Sequence, residues 1–288
     1  MPELTDINYI KQIMTKHGFH VSKALGQNFL INPTVCPRIA ELGNAKENFG
    51  ILEIGTGVGV LTKELAKRAE KVVAIELDNK LFPILNETLA EFNNIKIIHG
   101  DAMKINLKKI ISEEFENLQV AVCANLPYYI TSPLIMRLLE EKLPIKTITI
   151  MVQKEAGQRL CAPVRSRESG AVTVAVAYYG EAKKLFDVTR GSFLPAPNVD
   201  SMVMQIKLYA EQHWHVQDEN LFFKIIKIGF SQRRKQLCSV LANYFHMPKT
   251  DMLSVFEQAN ILFNTRIEAL TMPELVNLSN ILAENLKN

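Results

Sequence analysis

The sequence predicts an α/β protein in which a parallel sheet, covered by helices on both sides, precedes a smaller all-helical domain. Two observations carry this prediction. Between residues 50 and 208, short apolar runs rich in isoleucine and valine alternate with amphipathic stretches, and from there to residue 288 the apolar residues recur only at helical spacing. Continuous apolar runs are typical of strands buried on both faces, and their alternation with helices indicates a parallel sheet.

The elements follow in order along the chain. Ile7, Ile10 and Met14 predict a first helix. Strands are then expected over 51–54, 71–75, 95–98, 120–124 and 148–152, with helices over 61–69, 81–92 and 134–139, and 184–188 and 202–208 supply two further strands as an antiparallel finish. Thr271 and Glu274 form a capping box with Pro273 in the first turn, which predicts a last helix running past Leu282. We therefore expect a domain over 1–209, beginning with a basic segment at 1–49, and a helical domain over 210–288.

Composition excludes several classes of protein. Lys and Arg number 33 against 30 Asp and Glu, so the formal charge of +3 rules out a polycation or an acidic tail but allows a local basic face. The four cysteines show no C-x-x-C spacing, which disfavours a secreted disulfide framework and a zinc site. No apolar run is long enough to span a membrane, and the first residues lack the apolar region of a signal peptide. A cytoplasmic protein is expected.

A glycine-rich turn follows the first strand of the predicted sheet. Residues 51–59 run Ile-Leu-Glu-Ile-Gly-Thr-Gly-Val-Gly. Glycines at the carboxyl edge of a parallel sheet let a ligand approach the backbone, and open α/β folds bind nucleotides at this edge. A dinucleotide fingerprint requires its third glycine at position 60, where this chain has Val60, and the Gly-Lys-Ser/Thr of a phosphate-binding loop does not follow. The spacing disfavours a pyrophosphate ligand.

Acidic residues end the second and third predicted strands. Glu76 can accept hydrogen bonds from both ribose hydroxyls of an adenosine moiety, and Asp101 can accept one from an adenine amine. Generic turn chemistry also favours Gly and Asp in loops. In register with Gly55 and Gly57, however, the two acids resemble the core of an S-adenosylmethionine-dependent methyltransferase.

The fourth predicted strand leads into Asn125-Leu126-Pro127-Tyr128. An adenine amine is a poor nucleophile because its lone pair is delocalised into the ring. The Asn125 side-chain carbonyl and a backbone carbonyl of the turn can accept both amine hydrogens, and Tyr128 can stack on the base. Positioning and fixed dipoles would then supply the rate without a strong base. The alternative is an ordinary Asn-Pro turn with a buried tyrosine.

Taken together, these motifs resemble the ribosomal RNA adenine dimethylase family, and most closely its branch that dimethylates two adjacent adenosines near the 3′ end of small-subunit 16S rRNA. The resemblance extends from about Lys23 to the C-terminus. It rests on Gly-Gln-Asn-Phe-Leu at 26–30, the turn at 53–59, Glu76, Asp101, the motif at 125–128, Phe-Leu-Pro-Ala-Pro-Asn-Val-Asp-Ser at 193–201, Phe-Ser-Gln-Arg-Arg-Lys at 230–235 and Arg-x-Glu-x-Leu at 266–270.

The resemblance implies a Rossmann-like methyltransferase sheet that binds S-adenosylmethionine, followed by a helical RNA-binding domain. The residues expected at the methyl donor are Asn28, Leu30, Gly55, Gly57, Glu76, Asp101 and Asn125. Asn125 and Tyr128 are expected to hold the target adenine, with Phe193 against its other face, because aromatic faces replace the stacking that an extruded base loses. An aromatic plug on the core is the alternative for Phe193.

A stretch without acidic residues, from Leu221 to Thr250, is the candidate RNA surface. It carries six positive side chains, and Arg233-Arg234-Lys235 is expected at a helix start beside Phe230. Basic residues there can follow the phosphate backbone, although a solvated helix face is the alternative. The residues expected to contact RNA are Lys23, Lys227, Arg233, Arg234 and Lys235.

The sequence leaves two other functions open. One is methylation of an adenosine in large-subunit rRNA, as in the antibiotic-resistance branch of the same family. The other is a noncatalytic RNA-binding assembly or transcription factor on the same fold. The expected partner is 16S rRNA in an immature small ribosomal subunit, bound by a monomer. No metal is expected, since His213 and His215 lack a cluster of further ligands.

Overall fold

The structure, a computed structural model, describes residues 3–22 and 25–286. Its backbone contacts divide it into two compact units. The first comprises the chain up to Gly157 together with Ala182–Leu208, and the second comprises Gln158–Glu181 together with the chain from Tyr209 onward. Residues 158–181, which precede the boundary expected at 209, thus pack with the second unit.

Strands and helices alternate through the first unit, whereas the second unit is mainly helical. The strands are β1 (Phe29–Leu30), β2 (Phe49–Ile54), β3 (Lys71–Glu76), β4 (Ile95–His99), β5 (Gln119–Asn125), β6 (Ile145–Gln153), β7 (Gly180–Val188), β8 (Phe193–Leu194) and β9 (Ser201–Leu208). The helices are α1 (Ile7–Lys16), α2 (Val35–Leu42), α3 (Val60–Ala66), α4 (Phe82–Thr88), α5 (Leu107–Glu114), α6 (Thr131–Glu140), α7 (Lys154–Leu160), α8 (Ala171–Tyr179), α9 (Glu219–Ser231), α10 (Leu237–Phe245), α11 (Lys249–Gln258) and α12 (Met272–Asn285).

Within the described residues, seven strands form one sheet in the order β4-β3-β2-β5-β6-β9-β7. The pairs β2–β3, β3–β4, β2–β5 and β5–β6 are parallel, and β9 runs antiparallel to β6. All six residues of β2 are buried, which explains its unbroken apolar run. The predicted parallel sheet with an antiparallel finish is confirmed. Because β2, β3 and β5 are adjacent and parallel, their carboxyl ends meet at one edge.

Helices and strands of the first unit share one apolar core. Ile10 of α1, Ile39 of α2, Leu65 of α3 and Leu85 of α4 are fully buried in one apolar cluster with Ile51 of β2. Burial of each such side chain contributes roughly 1.5–3 kcal/mol to the free energy of folding. The ends of the strands are therefore held in place by a well-packed core.

The second unit has its own apolar core. Phe222, Leu241, Phe256 and Leu278, from α9 to α12, are almost completely buried there. The predicted capping box of the last helix is confirmed. The Glu274 N–H donates to Thr271 Oγ1 (3.4 Å), and the Thr271 N–H donates to Glu274 Oε2 (2.7 Å). Among the described residues, no helix combines the length and the hydropathy needed to span a bilayer.

Candidate active site

An open cavity of about 1060 Å³, its solvent-filled mouth included, lies at the carboxyl edge of β2, β3 and β5. Its walls come entirely from the first unit. The lining contains every residue that the sequence predicts for donor binding and catalysis, namely Asn28, Leu30, Gly55, Gly57, Glu76, Asp101, Asn125, Tyr128 and Phe193. The fold therefore brings segments more than 160 residues apart in the chain to one site.

The glycine turn forms the floor of the cavity with bare backbone. Gly55 and Gly57 have φ angles of 78° and 54°, in the left-handed region that favours glycine. A Cβ on Gly57 would come within 3.1 Å of the Phe29 ring, so a side chain there would push the 25–30 loop away from the turn. The turn thus keeps the cavity open to a ligand that lies close to the main chain.

Glu76 ties the glycine turn to the end of β3. Its Oε2 accepts hydrogen bonds from the Thr56 N–H (2.9 Å), the Thr56 hydroxyl (2.8 Å) and the Gly57 N–H (3.3 Å), and its Oε1 accepts one from the Asp78 N–H (2.8 Å). A carboxylate offers about four acceptor positions. Counted by oxygen, each has about two lone pairs, so Oε1, which accepts one hydrogen bond, keeps one position for a ligand hydroxyl. The structural role of the carboxylate is one that the sequence did not indicate.

Asp101 lies across the cavity, after β4. Its Oδ1 accepts a hydrogen bond from the Met103 N–H (2.8 Å), and its Oδ2 is 3.6 Å from Lys104 Nζ. The side chain is partly exposed and lines the cavity. This arrangement suits a carboxylate that accepts from an exocyclic amine.

The 25–30 loop and the segment after β7 form the opposite wall. In the antiparallel pair of β1 and β8, Leu30 is opposite Phe193 and Phe29 is opposite Leu194. Phe193 is 4% exposed and belongs to the core of the first unit while its ring lines the cavity. The pairing of β1 with β8 thus places Leu30, which is expected to contact the methyl donor, directly beside Phe193, which is expected to contact the target adenine.

Asn125 ends β5 and lines the cavity. Of the described residues, none makes a hydrogen bond with its side-chain amide, so both the carbonyl and the NH₂ are available to a ligand. Its backbone carbonyl lies beside Gly55, 3.9 Å from the position that a Cβ would occupy there. The side-chain carbonyl of Asn125 is therefore an acceptor at the carboxyl edge of the sheet, where the cavity lies.

Tyr128, the last residue of the Asn125–Tyr128 motif, begins the short 3₁₀ turn Tyr128–Ile130. Its hydroxyl hydrogen-bonds Ser201 Oγ at 2.8 Å, at the start of β9. Burial raises the pKa of the phenol above its usual value, so Tyr128 is neutral at physiological pH. The hydrogen bond to Ser201 holds the ring in one orientation. A fixed, neutral aromatic ring is suited to stacking.

One buried acid of the glycine motif has no predicted role. Glu53 is fully buried in β2, and within the described residues neither of its oxygens has a hydrogen-bond partner. Burial raises the pKa of this carboxyl to about 8, so it is largely protonated at pH 7. The sequence gives no sign of this state, because the motif places Glu53 among apolar residues without showing its surroundings.

The expected RNA-contact residues lie in the second unit, apart from Lys23, which is outside the described residues. Lys227 is exposed on α9. The Arg233–Lys235 cluster lies in the connection between α9 and α10, ahead of the first turn of α10. Arg234 and Lys235 are exposed, whereas Arg233 donates to the Arg167 carbonyl (2.8 Å). Arg233 is therefore tied to another segment of the second unit, whereas Lys235 donates to its near neighbour Gln232 Oε1 (2.8 Å).

Among the described residues, no group of three or more His, Cys, Asp or Glu side chains is placed so that it could hold a metal ion. The four cysteines are free thiols there.

Comparison with known proteins gives a consistent result. A family model described as ribosomal RNA adenine dimethylase matches residues 18–284. Proteins named ribosomal RNA small subunit methyltransferase A from Bacillus licheniformis and Bacillus pumilus are each 42% identical, over 95% and 96% of both chains respectively. A solved dimethyladenosine transferase from Plasmodium falciparum has a TM-score of 0.74 and 26% identity over 90% of this chain and 98% of that one. The 23S rRNA methyltransferase ErmE shares the fold, with a TM-score of 0.68 and 24% identity over 89% of this chain and 100% of that one.

Proposed function

The chain belongs to the ribosomal RNA adenine dimethylase family, and we propose that it dimethylates the N6 amines of two adjacent adenosines in the 3′-terminal hairpin of 16S rRNA. It is an rRNA methyltransferase that uses S-adenosylmethionine. The name of the curated relatives supports small-subunit rRNA as the substrate over large-subunit rRNA. The observation that carries the proposal is the Asn125 amide, which lines the cavity and makes no side-chain hydrogen bond to any described residue.

The donor end of the cavity fits S-adenosylmethionine. Gly55 and Gly57 provide a cradle that a Cβ would fill, the free acceptor position of Glu76 suits the ribose, and Asp101 suits the adenine amine. Asn28 and Leu30 line the same end. When bound, the donor supplies an electrophilic methyl group on a sulfonium centre.

At the target end, Asn125 prepares the amine of the substrate. Its side-chain carbonyl oxygen and a backbone carbonyl oxygen of the 125–128 turn accept the two N6 hydrogens, which favours a pyramidal nitrogen whose lone pair is directed at the methyl group. Tyr128 and Phe193 hold the two faces of the extruded adenine. The new N6–CH₃ bond forms as the S–CH₃ bond breaks, and N6 then releases a proton to water, because an amide cannot take it up. Rate comes from positioning and from dipoles fixed before reaction.

The second unit is proposed to hold the RNA. Arg234, Lys235 and Lys227 are exposed in a stretch of sequence without acids, which supports contact with phosphates. Lys23 and Arg233 are proposed contacts as well, and Arg233 has only part of its guanidinium free for one. We further propose that the protein acts as a monomer in the cytoplasm on an immature small subunit, because the 3′-terminal hairpin must be accessible for a base to be extruded.

The decisive experiment is methyl transfer to purified subunits. The protein is incubated with labelled S-adenosylmethionine and with small subunits from a strain that lacks this modification, and dimethyladenosine is mapped by mass spectrometry. Large subunits and fully methylated small subunits serve as controls. Label at the two adjacent adenosines is expected. Label in large-subunit rRNA alone, or no transfer to any RNA, would overturn the proposal.

A further inference from the structure

A second tyrosine, Tyr129, lies directly after the proposed catalytic motif. Tyr129 follows Tyr128 in the 3₁₀ turn, and its side chain lines the mouth of the cavity. The residue is 58% exposed. Tyr128, by contrast, is held inside by its hydrogen bond to Ser201. The two consecutive tyrosines therefore offer one ring within the cavity and one ring at its rim.

The Tyr129 ring rests on the 25–28 loop. Gly26 has a φ angle of 62°, and a Cβ there would lie 3.2 Å from Pro127 Cβ and 3.5 Å from Tyr129 Cε1. The first of these contacts is tighter than an ordinary van der Waals contact, so a glycine at position 26 lets the loop approach the turn. The ring thus has backbone support at one edge and leaves much of its surface to solvent.

An exposed aromatic ring at this place has an obvious class of ligand. When one nucleotide is extruded into the cavity, its neighbour loses a stacking partner, and an aromatic side chain can replace that partner. Stacking of this kind tolerates any base, because every base has a π face.

We propose that Tyr129 stacks on the base next to the target adenosine and so positions the RNA strand across the mouth of the cavity. The inference rests on the proposed function, since it names how the same substrate is held. Tyr129 is a positioning residue: it touches the neighbouring nucleotide and does not touch the reacting amine. Its contribution therefore falls on RNA binding and leaves the chemical step unchanged.

The test compares Tyr129→Leu with Tyr129→Phe. In steady-state methylation of undermethylated small subunits, Tyr129→Leu should raise the KM for RNA about tenfold and leave kcat within about twofold of wild type. A tenfold loss of affinity is in the range expected when one base loses its stacking on an aromatic side chain. Phenylalanine keeps the ring and should restore the wild-type KM. Calorimetry should give an unchanged Kd for S-adenosylmethionine in both variants.

The donor Kd separates the proposal from a structural role, because the 25–30 loop also lines the donor end. If leucine raised the donor Kd in step with the KM for RNA, Tyr129 would only support the loop, and the proposal would be wrong. A wild-type KM for Tyr129→Leu would overturn it as well.

A second readout does not depend on methyl transfer. An RNA oligonucleotide with 2-aminopurine next to the target adenosine is bound at saturating protein, and its fluorescence reports stacking of that base. Quenching is expected with wild type and Tyr129→Phe and should be lost with Tyr129→Leu. Equal fluorescence in all three complexes, or no RNA binding by wild type, contradicts the stacking role. Loss of methyl transfer by the wild-type protein would instead contradict the proposed function.

Discussion

Glu76 and Thr56 are joined by two hydrogen bonds, in which the Thr56 N–H (2.9 Å) and hydroxyl (2.8 Å) both donate to Glu76 Oε2. The carboxylate that is expected to bind the donor ribose therefore also fixes the shape of the glycine turn. Binding and preorganisation of the donor end cannot be separated at this residue, but they can be separated at its partner.

Glu76→Ala is expected to weaken donor binding by more than tenfold, measured as the Kd for S-adenosylmethionine by calorimetry. The substitution removes the ribose acceptor and leaves the Thr56, Gly57 and Asp78 N–H groups without their acceptor, at a cost of about 1–3 kcal/mol for each buried donor. Thr56→Val is the matched control, because it removes the hydroxyl that donates to Glu76 (2.8 Å) and to the Gly57 carbonyl (3.4 Å) and keeps the carboxylate. The Kd of this variant for S-adenosylmethionine should change by only a fewfold. Equal effects would show that Glu76 acts through the turn alone.

Asn125→Ala is expected to lower kcat at least a hundredfold while the Kd for S-adenosylmethionine stays within a fewfold of wild type. The reason is that the side-chain carbonyl orients the amine and opposes developing charge only as the methyl is transferred, and removal of one such group typically costs 10²–10³ in rate. Single-turnover methylation with bound subunits measures the chemical step directly. Asn125→Asp keeps an oxygen acceptor and should retain more activity than alanine, whereas equal activity of alanine and wild type would refute the assignment.

Glu53 predicts a pH dependence of stability. Its pKa is raised from the model-compound value of 4.5 to about 8 in the folded protein. Below pH 4.5 the carboxyl is protonated in both folded and unfolded chains. As pH rises toward 8, the unfolded chain ionises and the folded one does not, so the free energy of unfolding falls.

Between pH 6 and pH 8, the free energy of unfolding of wild type should therefore fall by about 2–3 kcal/mol relative to that of Glu53→Gln, at about 1.36 kcal/mol for each pH unit. Urea unfolding at the two pH values measures this difference. Glu47→Gln, at an exposed position just before the same strand, should show the wild-type dependence. If Glu53→Gln lost stability with pH as steeply as wild type, the carboxyl would be ionised in the folded state.

The sheet was predictable because burial on both faces leaves a mark in the sequence. The run at 120–124 lies within β5 (Gln119–Asn125), and the glycine turn follows β2 as expected. Helix α8 could not be predicted in this way. Its residues, 171–179, are mostly alanine, valine and tyrosine and are apolar around the whole helix, so the sequence shows no helical period there.

The donor and target residues could be named from motifs, but their contacts could not. The pairing of Leu30 with Phe193 joins two-residue strands that are too short to show any pattern. The link from Glu76 to Thr56 needs the turn geometry, and the protonation of Glu53 needs its burial. Such contacts arise from tertiary packing, which local sequence does not encode separately.

The RNA surface is tested by Arg234→Ala, because Arg234 is exposed and makes no ion pair among the described residues, unlike Arg233, which lies 3.8 Å from Glu268. The association constant for undermethylated small subunits should fall, and the slope of its logarithm against log salt should decrease in magnitude by about one, as expected when one phosphate contact is lost. Lys146→Ala is the matched control, since Lys146 is exposed at the start of β6, at the end of the sheet away from the cavity. Its slope should equal that of wild type. If Arg234→Ala also left the slope unchanged, Arg234 would not contact phosphate.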